Sequence, residues 1–350
     1  MEPEPLPEPP IPVPDVPGAD ATARGLPRRA DLTTRQRLLV DSSALADLAL
    51  RTSIASLLSA TMVPTVAGVL RRSQSRAERE HLEFYAELAA AADPHRAFPV
   101  PTEPPRVSSR AANPVAEWFA HGNVRNLRFH STFQAVNPAL RDQCRGYVRN
   151  NVVHAQHWRH HDGPRPTLCV IHGFMGSAYL FNGMFFSLPW FYRSGYDVML
   201  YTLPFHGRRK GRLAPFSGAQ FFSQGMALLN ETFAHAIHDL RLFMDYLRAQ
   251  GTPAMGATGI SLGGYTTGLL AALEDDLAFA IPNVPLVSIM DLMKSWFPVN
   301  LQFPLFHKVY DTDLAGLRQL TALHSPLTWP CQVPHKGRMI IGGAGDRFAP

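Results

Sequence analysis

Gly259-Ile260-Ser261-Leu262-Gly263 decides the fold of this chain. A short run from Ala254 to Thr258 precedes it and reads as the end of a strand. The run from Tyr265 to Leu273 follows it and reads as a helix. A serine hydroxyl is a poor nucleophile, so it must stand exposed at a sharp strand-to-helix turn, beside a base. Glycines on either side let the backbone turn without a Cβ clash. The N–H of Leu262 then points at a carbonyl oxygen under attack. The same five-residue pattern also arises in ordinary glycine-rich turns. Here both flanks supply the strand and helix that give it meaning.

Upstream, Thr167-Leu168-Cys169-Val170-Ile171 is a short apolar run, as a strand buried on both faces requires. It ends in His172-Gly173-Phe174-Met175-Gly176-Ser177. A third landmark, Leu203-Pro204-Phe205-His206-Gly207-Arg208-Arg209, follows the predicted strand from Asp197 to Thr202. Leu229, Phe233, Ile237, Leu240, Met244 and Leu247 recur at steps of three and four, one face of an amphipathic helix that stops near Gly251. Leu277 to Ile281 and Arg338 to Ile341 read as two further strands. Short apolar strands alternating with helices predict a mostly parallel sheet covered on both faces. The turns at 172, 203 and 259 all follow strand ends, so they converge on one side of it.

Residues from about 120 to 350 resemble an α/β-hydrolase. The H-G-F turn, the L-P-F-H-G-R-R turn and the G-I-S-L-G-G elbow carry the resemblance. The elbow is also similar to that of the α/β-hydrolase domain-containing 18 group, from which the H-G-F turn departs. The resemblance implies a serine hydrolase with Ser261 as nucleophile and the N–H groups of Leu262 and Phe174 as oxyanion donors. His172 is then a brace for its loop, and His206 either binds substrate or braces its own turn. Gly342-Gly343-Ala344-Gly345-Asp346 resembles the turn after the seventh strand, which makes Asp346 the acid that orients a histidine. Asp291 is the alternative acid.

That histidine is not in view. The chain order in this fold is Ser, then Asp or Glu, then His. All fifteen histidines lie at or before His335, and only four residues follow Asp346. The expectation is a chain truncated before the last strand and helix. A degenerate member, or a histidine recruited from elsewhere, stays open.

The remaining features bound the function. The chain has 350 residues, 46% hydrophobic, with a formal charge of +5. This permits one large domain plus an extension, and no nucleic-acid motif is present. Cys144, Cys169 and Cys331 are scattered and odd in number, which does not suggest a disulfide framework. His157, His160, His161 and Asp162 read as a hairpin tip, with zinc the less favoured alternative. No metal or organic cofactor is expected. His235 and His238 are expected to be partly exposed on their helix. Arg208, Arg209, Lys210 and Arg212 read as a solvated basic loop, or else as attraction for an anionic head group.

Residues 1–30 hold nine prolines interleaved with glutamates and are expected to be a disordered tail. Residues 31–92 are expected to form a helical extension, residues 93–115 a proline-rich linker and residues 116–350 the hydrolase domain. Thr52 to Leu70 lacks charges and is marginal as a bilayer span, so a helical cap on the domain is favoured, with peripheral membrane contact open. The insertion at 285–330 is rich in Met and Phe and is expected to be a lid. Its Trp296, Phe297, Phe303 and Phe306 either line an acyl site or pack the lid's own core. The sequence therefore predicts a cytoplasmic hydrolase acting on a small-molecule or lipid ester. Peptidase or thioesterase chemistry, and a non-catalytic binding protein, are the rival readings.

Overall fold

The computed structural model describes residues 32–69, 72–343 and 346–347, without side chains between 64 and 75. The expected tail at 1–30 lies outside the described residues. Among the described residues seven strands form one sheet: β1 (Ser108–Ala111), β2 (Asn123–His130), β3 (Val152–Arg159), β4 (Thr167–Ile171), β5 (Asp197–Tyr201), β6 (Met255–Ile260) and β7 (Leu277–Asn283). Their order across the sheet is β1-β2-β3-β5-β4-β6-β7. The β1–β2, β2–β3 and β3–β5 pairs are antiparallel, whereas β5, β4, β6 and β7 run parallel. Beyond β7, single parallel bridges join Ala280 to Arg338 and Asn283 to Ile341. This is the mostly parallel sheet that the strand pattern predicts.

The parallel strands are buried along their length because helices cover both faces. All five residues of β4 and all five of β5 are buried. On one face lie α1 (Thr34–Val69), α2 (Arg72–Ala90), α5 (Met226–Ala249), α6 (Leu262–Leu273), α7 (Ile289–Ser295), α8 (Phe303–Tyr310) and α9 (Leu314–Leu320). On the other, α3 (Tyr179–Phe185) and α4 (Leu188–Arg193) cover a smaller core around Trp158, Leu168, Val170 and Leu200. The apolar stripe read from the sequence is the buried face of α5, and Gly251 ends that helix at φ +84°.

The N-terminal helices are part of this body. Ala55, Leu58 and Met62 of α1 and Leu82 and Tyr85 of α2 are buried in the larger core. Tyr85 donates to the buried Glu231 of α5 at 2.6 Å. Among the described residues no helix is long and apolar enough to cross a membrane.

Two charged or polar groups sit elsewhere than their sequence neighbourhood suggests. His235 is buried, not partly exposed, because α5 is enclosed all round at that level. Arg209 is wholly buried, so it belongs neither to a solvated loop nor to a head-group site. Its guanidinium donates to Asp239 Oδ2 at 2.7 Å, Asn150 O at 2.8 Å and Tyr201 Oη at 3.1 Å. This network ties the turn after β5 to α5. Of the suspected hairpin tip, His157 is buried in β3 and His160 Nδ1 is 2.8 Å from Asp197 Oδ1. Among the described residues no cluster of His, Cys, Asp or Glu is grouped to hold a metal ion.

Candidate active site

Ser261 joins β6 to α6 at φ 54° and ψ −112°. A non-glycine residue rarely adopts this backbone, and its strain persists only where the surroundings over-determine it. Here three glycines do so. A Cβ on Gly259 would lie 2.3 Å from Gly263 O, one on Gly263 would lie 2.1 Å from Ile171 O, and one on Gly264 would lie 2.8 Å from Asn283 O. None of the three has a positive φ; they are needed because β4, β6, β7 and the start of α6 approach too closely for a side chain. The turn is also held by hydrogen bonds. Ser261 N–H donates to Asn283 O at 3.0 Å, and Tyr265 N–H donates to Ser261 O at 2.8 Å.

The turn after β4 abuts this elbow. A Cβ on Gly173 would meet Ile260 O at 3.2 Å and Ser261 Cβ at 3.8 Å. Met175 takes a left-handed φ of 65°, and Gly176 N–H closes the turn onto Gly173 O at 3.0 Å. Asn182 Nδ2 donates to Gly176 O at 2.8 Å and to Ala178 O at 2.9 Å, bracing the loop from α3. Leu262 begins α6, so its N–H has no partner within the helix, while its side chain is buried in the core.

His172 is a brace. Its Nε2 accepts from Leu203 N–H at 3.1 Å, which leaves the proton on Nδ1, donated to Gly173 O at 2.7 Å. Burial pulls its pKa down to about 4, so the ring is neutral near pH 7. His206 is fully buried, with Nδ1 2.8 Å from Pro204 O and its ring set edge-on to His172, Phe174 and Phe221. Burial pulls its pKa well below the usual histidine range.

Ser261, Phe174 and Asp346 line one cleft of about 770 Å³. Gly173, Gly176, Asn182, Ile260 and Val284 also line it. The opposite wall comes from α1 and α3, which contribute Leu39, Val40, Leu50, Ile54, Phe181 and Phe185. Helix α1 is tied to the turn that carries Asp346: Arg51 donates to Arg347 O at 2.7 Å, and Arg347 N–H donates to Asp47 Oδ2 at 3.4 Å. No histidine is among the described residues that line this cleft.

The other candidates lie elsewhere. Asp291 faces a separate cleft of about 830 Å³ that does not include Ser261. There its carboxylate accepts from Ser288 Oγ, the N-cap of α7, and pairs with Arg318, whose guanidinium holds the carboxyl below its usual range. His206, Trp296 and Phe297 are absent from the lining of the Ser261 cleft. Trp296 is buried, and Phe297 is exposed on the outside. Phe303 and Phe306 are buried too, and the space left beside Phe306, Met290 and Met293 is only about 30 Å³.

Sequence reasoning did not find the α1 and α3 side of the cleft. A signal existed: Leu39, Ser43, Asp47, Leu50 and Ile54 recur at steps of three and four, and Phe181 and Phe185 are one turn apart.

No family model matches the chain. Two curated relatives, both uncharacterized proteins of Mycobacterium tuberculosis (strains CDC 1551 / Oshkosh and H37Rv), are 34% identical to it over 206 residues. That stretch is 58% of this chain and 48% of each relative, so the chain spans about half the length of the curated relatives it matches. Among solved structures, acetyl xylan esterase 1 from Thermoanaerobacterium sp. JW/SL YS485 is 17% identical at a TM-score of 0.45, over 71% of this chain and 76% of its own. An acetyl xylan esterase from Paenibacillus sp. R4 is 13% identical at a TM-score of 0.44, over 69% of this chain and 72% of its own. Acylaminoacyl peptidase from Pyrococcus horikoshii is 15% identical at a TM-score of 0.37, over 72% of this chain and 34% of its own.

Proposed function

We propose that this protein is a serine hydrolase that cleaves a carboxylic ester by acyl transfer. The observation that carries the reading is the backbone of Ser261. Its strained φ of 54° and ψ of −112°, held by three sterically required glycines, places Ser261 in the lining of a cleft. Ser261 Oγ attacks the acyl carbon and passes its proton to a histidine. The N–H groups of Leu262 and Phe174 hold the oxyanion. The histidine returns the proton to the leaving alcohol, and water then releases the acid from the acyl-enzyme. Asp346 orients that histidine.

No histidine is among the described residues that line the cleft, so the base is named by its chemistry and not by position. Three unpaired cysteines agree with a cytoplasmic protein. The second reading, a hydrolase-like binding protein, is favoured by the lack of histidine among the described cleft residues.

Hydrolysis of p-nitrophenyl esters by the full protein, by Ser261→Ala and by Asp346→Asn separates the two. The hydrolase reading expects turnover that Ser261→Ala abolishes and Asp346→Asn lowers by orders of magnitude. Ligand binding without turnover overturns it in favour of the binding protein. A peptide or thioester turned over in preference would keep Ser261 and change the substrate class.

A further inference from the structure

One wall of the Ser261 cleft is made largely by α1, an N-terminal helix packed on the sheet-and-helix body. Two halves of this helix behave differently. Ala55, Leu58 and Met62 are buried in the core, and Gln302 Nε2 donates to Ser59 Oγ at 2.6 Å, so that end is anchored. The earlier half lines the cleft. Leu39, Val40, Leu50 and Ile54 turn toward the cleft, and Phe181 and Phe185 meet them from α3. Leu39 is 60% exposed, Leu50 55%, Phe181 56% and Phe185 53%, although all four line a concave space. Apolar side chains that converge in a cavity and stay half uncovered are the ordinary signature of an apolar ligand site. The cleft volume, about 770 Å³, lies in the range of such sites.

We propose that the early half of α1, with Phe181 and Phe185, is the acyl-binding wall of the Ser261 site, so that the substrate is an ester of a long, unbranched acyl chain. This deepens the hydrolase reading and rests on it. The occupant follows from continuity: the apolar wall and the serine share one cleft, so a chain seated on the wall places its carbonyl at the elbow. The alternative seat, among the aromatic residues of 285–330, offers about 30 Å³ and does not reach Ser261. The ester end meets Ser43, Asp47, Asn182 and Asp346, the polar part of the lining. Arg51 and Asp47 fasten α1 to the turn bearing Asp346, which sets the wall at a fixed distance from the acid.

The test uses the full protein and two readouts. The first is equilibrium binding of 1-O-dodecylglycerol, an ether that cannot be hydrolysed, against 1-O-ethylglycerol, both below their aggregation concentrations. The second is the chain-length dependence of kcat/KM on p-nitrophenyl esters from acetate to dodecanoate. Wild type should bind the dodecyl ether and barely bind the ethyl ether. Leu39→Asn with Val40→Asn should weaken dodecyl binding about tenfold or more and flatten the rise of kcat/KM with chain length. Leu45→Asn, on the outer face of α1 at 69% exposure, should leave both readouts as in wild type. A dodecyl ether that does not bind, or that binds the double variant as tightly as wild type, overturns the proposal. Binding that the double variant loses, in a protein that turns over no ester, would keep the wall and overturn the hydrolase reading instead.

Discussion

Replacing glycine with alanine at two positions of the same helix, α6, should move stability in opposite directions. Gly263 and Gly268 are both helical, and neither has a positive φ. Alanine at either position gains about 0.8–1 kcal/mol of helix propensity. At Gly268 a Cβ meets only the Pro326 ring, Cβ at 3.4 Å and Cγ at 3.8 Å, ordinary contacts. Gly268→Ala should therefore raise stability by somewhat under 1 kcal/mol. At Gly263 a Cβ would lie 2.1 Å from Ile171 O and 2.6 Å from His172 O. Both are backbone atoms of β4 and its turn, and they cannot swing aside as a side-chain tip can. Overpacking of this kind costs about 1–3 kcal/mol, and two backbone oxygens place it at the upper end. The net loss is about 2 kcal/mol. It also moves α6 away from β4, separating the Ser261 elbow from the Phe174 loop. Urea unfolding gives the stability change as a shift of midpoint. Reactivity of Ser261 toward a fluorophosphonate should fall in Gly263→Ala and not in Gly268→Ala. A Gly263→Ala protein as stable and as reactive as wild type would refute the argument that close approach of β4 holds the elbow.

Three further outcomes follow from the same contacts. Asp239→Asn leaves the fully buried Arg209 guanidinium without its counter-charge and should cost about 3–5 kcal/mol, read as a lower urea midpoint. Burial holds His154 and His172 at about 4 and His157 and His324 at about 3, below the unfolded value near 6.5. Between those values the unfolded chain binds more protons. Stability is therefore complete above about pH 6.5 and falls as the pH drops toward 4, each histidine adding up to about 1.4 kcal/mol per pH unit, with a shallower fall in His172→Gln unfolding curves. Asp291→Asn removes a carboxylate that pairs with Arg318 in another cleft, so p-nitrophenyl ester turnover should be unaffected, whereas Asp346→Asn lowers it.

The sheet and the elbow were legible because each depends on local pattern. Leu168 to Ile171 and Val198 to Tyr201 are continuous apolar runs, as strands buried on both faces read. The glycines around Ser261 occur where three backbone segments meet, and the sequence marks such a crossing directly. What was not legible depends on long-range docking. Arg209 looked like one of a basic cluster, and only the arrival of Asp239 from α5 makes it a core residue. The aromatic residues of 285–330 could be read either as a substrate site or as the lid's own core, because composition does not say which way a side chain turns. In the fold Trp296, Phe303 and Phe306 are buried in the larger core and Phe297 is exposed. The wall of the cleft comes from α1, more than 200 residues before Ser261 in the chain, and no local signal relates the two.

The most direct measurement is covalent labelling of the protein with a fluorophosphonate, followed by peptide mass mapping. A nucleophile activated at the β6–α6 turn predicts a single adduct on the peptide containing Ser261, absent from Ser261→Ala. It also predicts protection of that serine when 1-O-dodecylglycerol fills the cleft. An unlabelled Ser261, or an adduct that persists elsewhere in Ser261→Ala, would contradict the account.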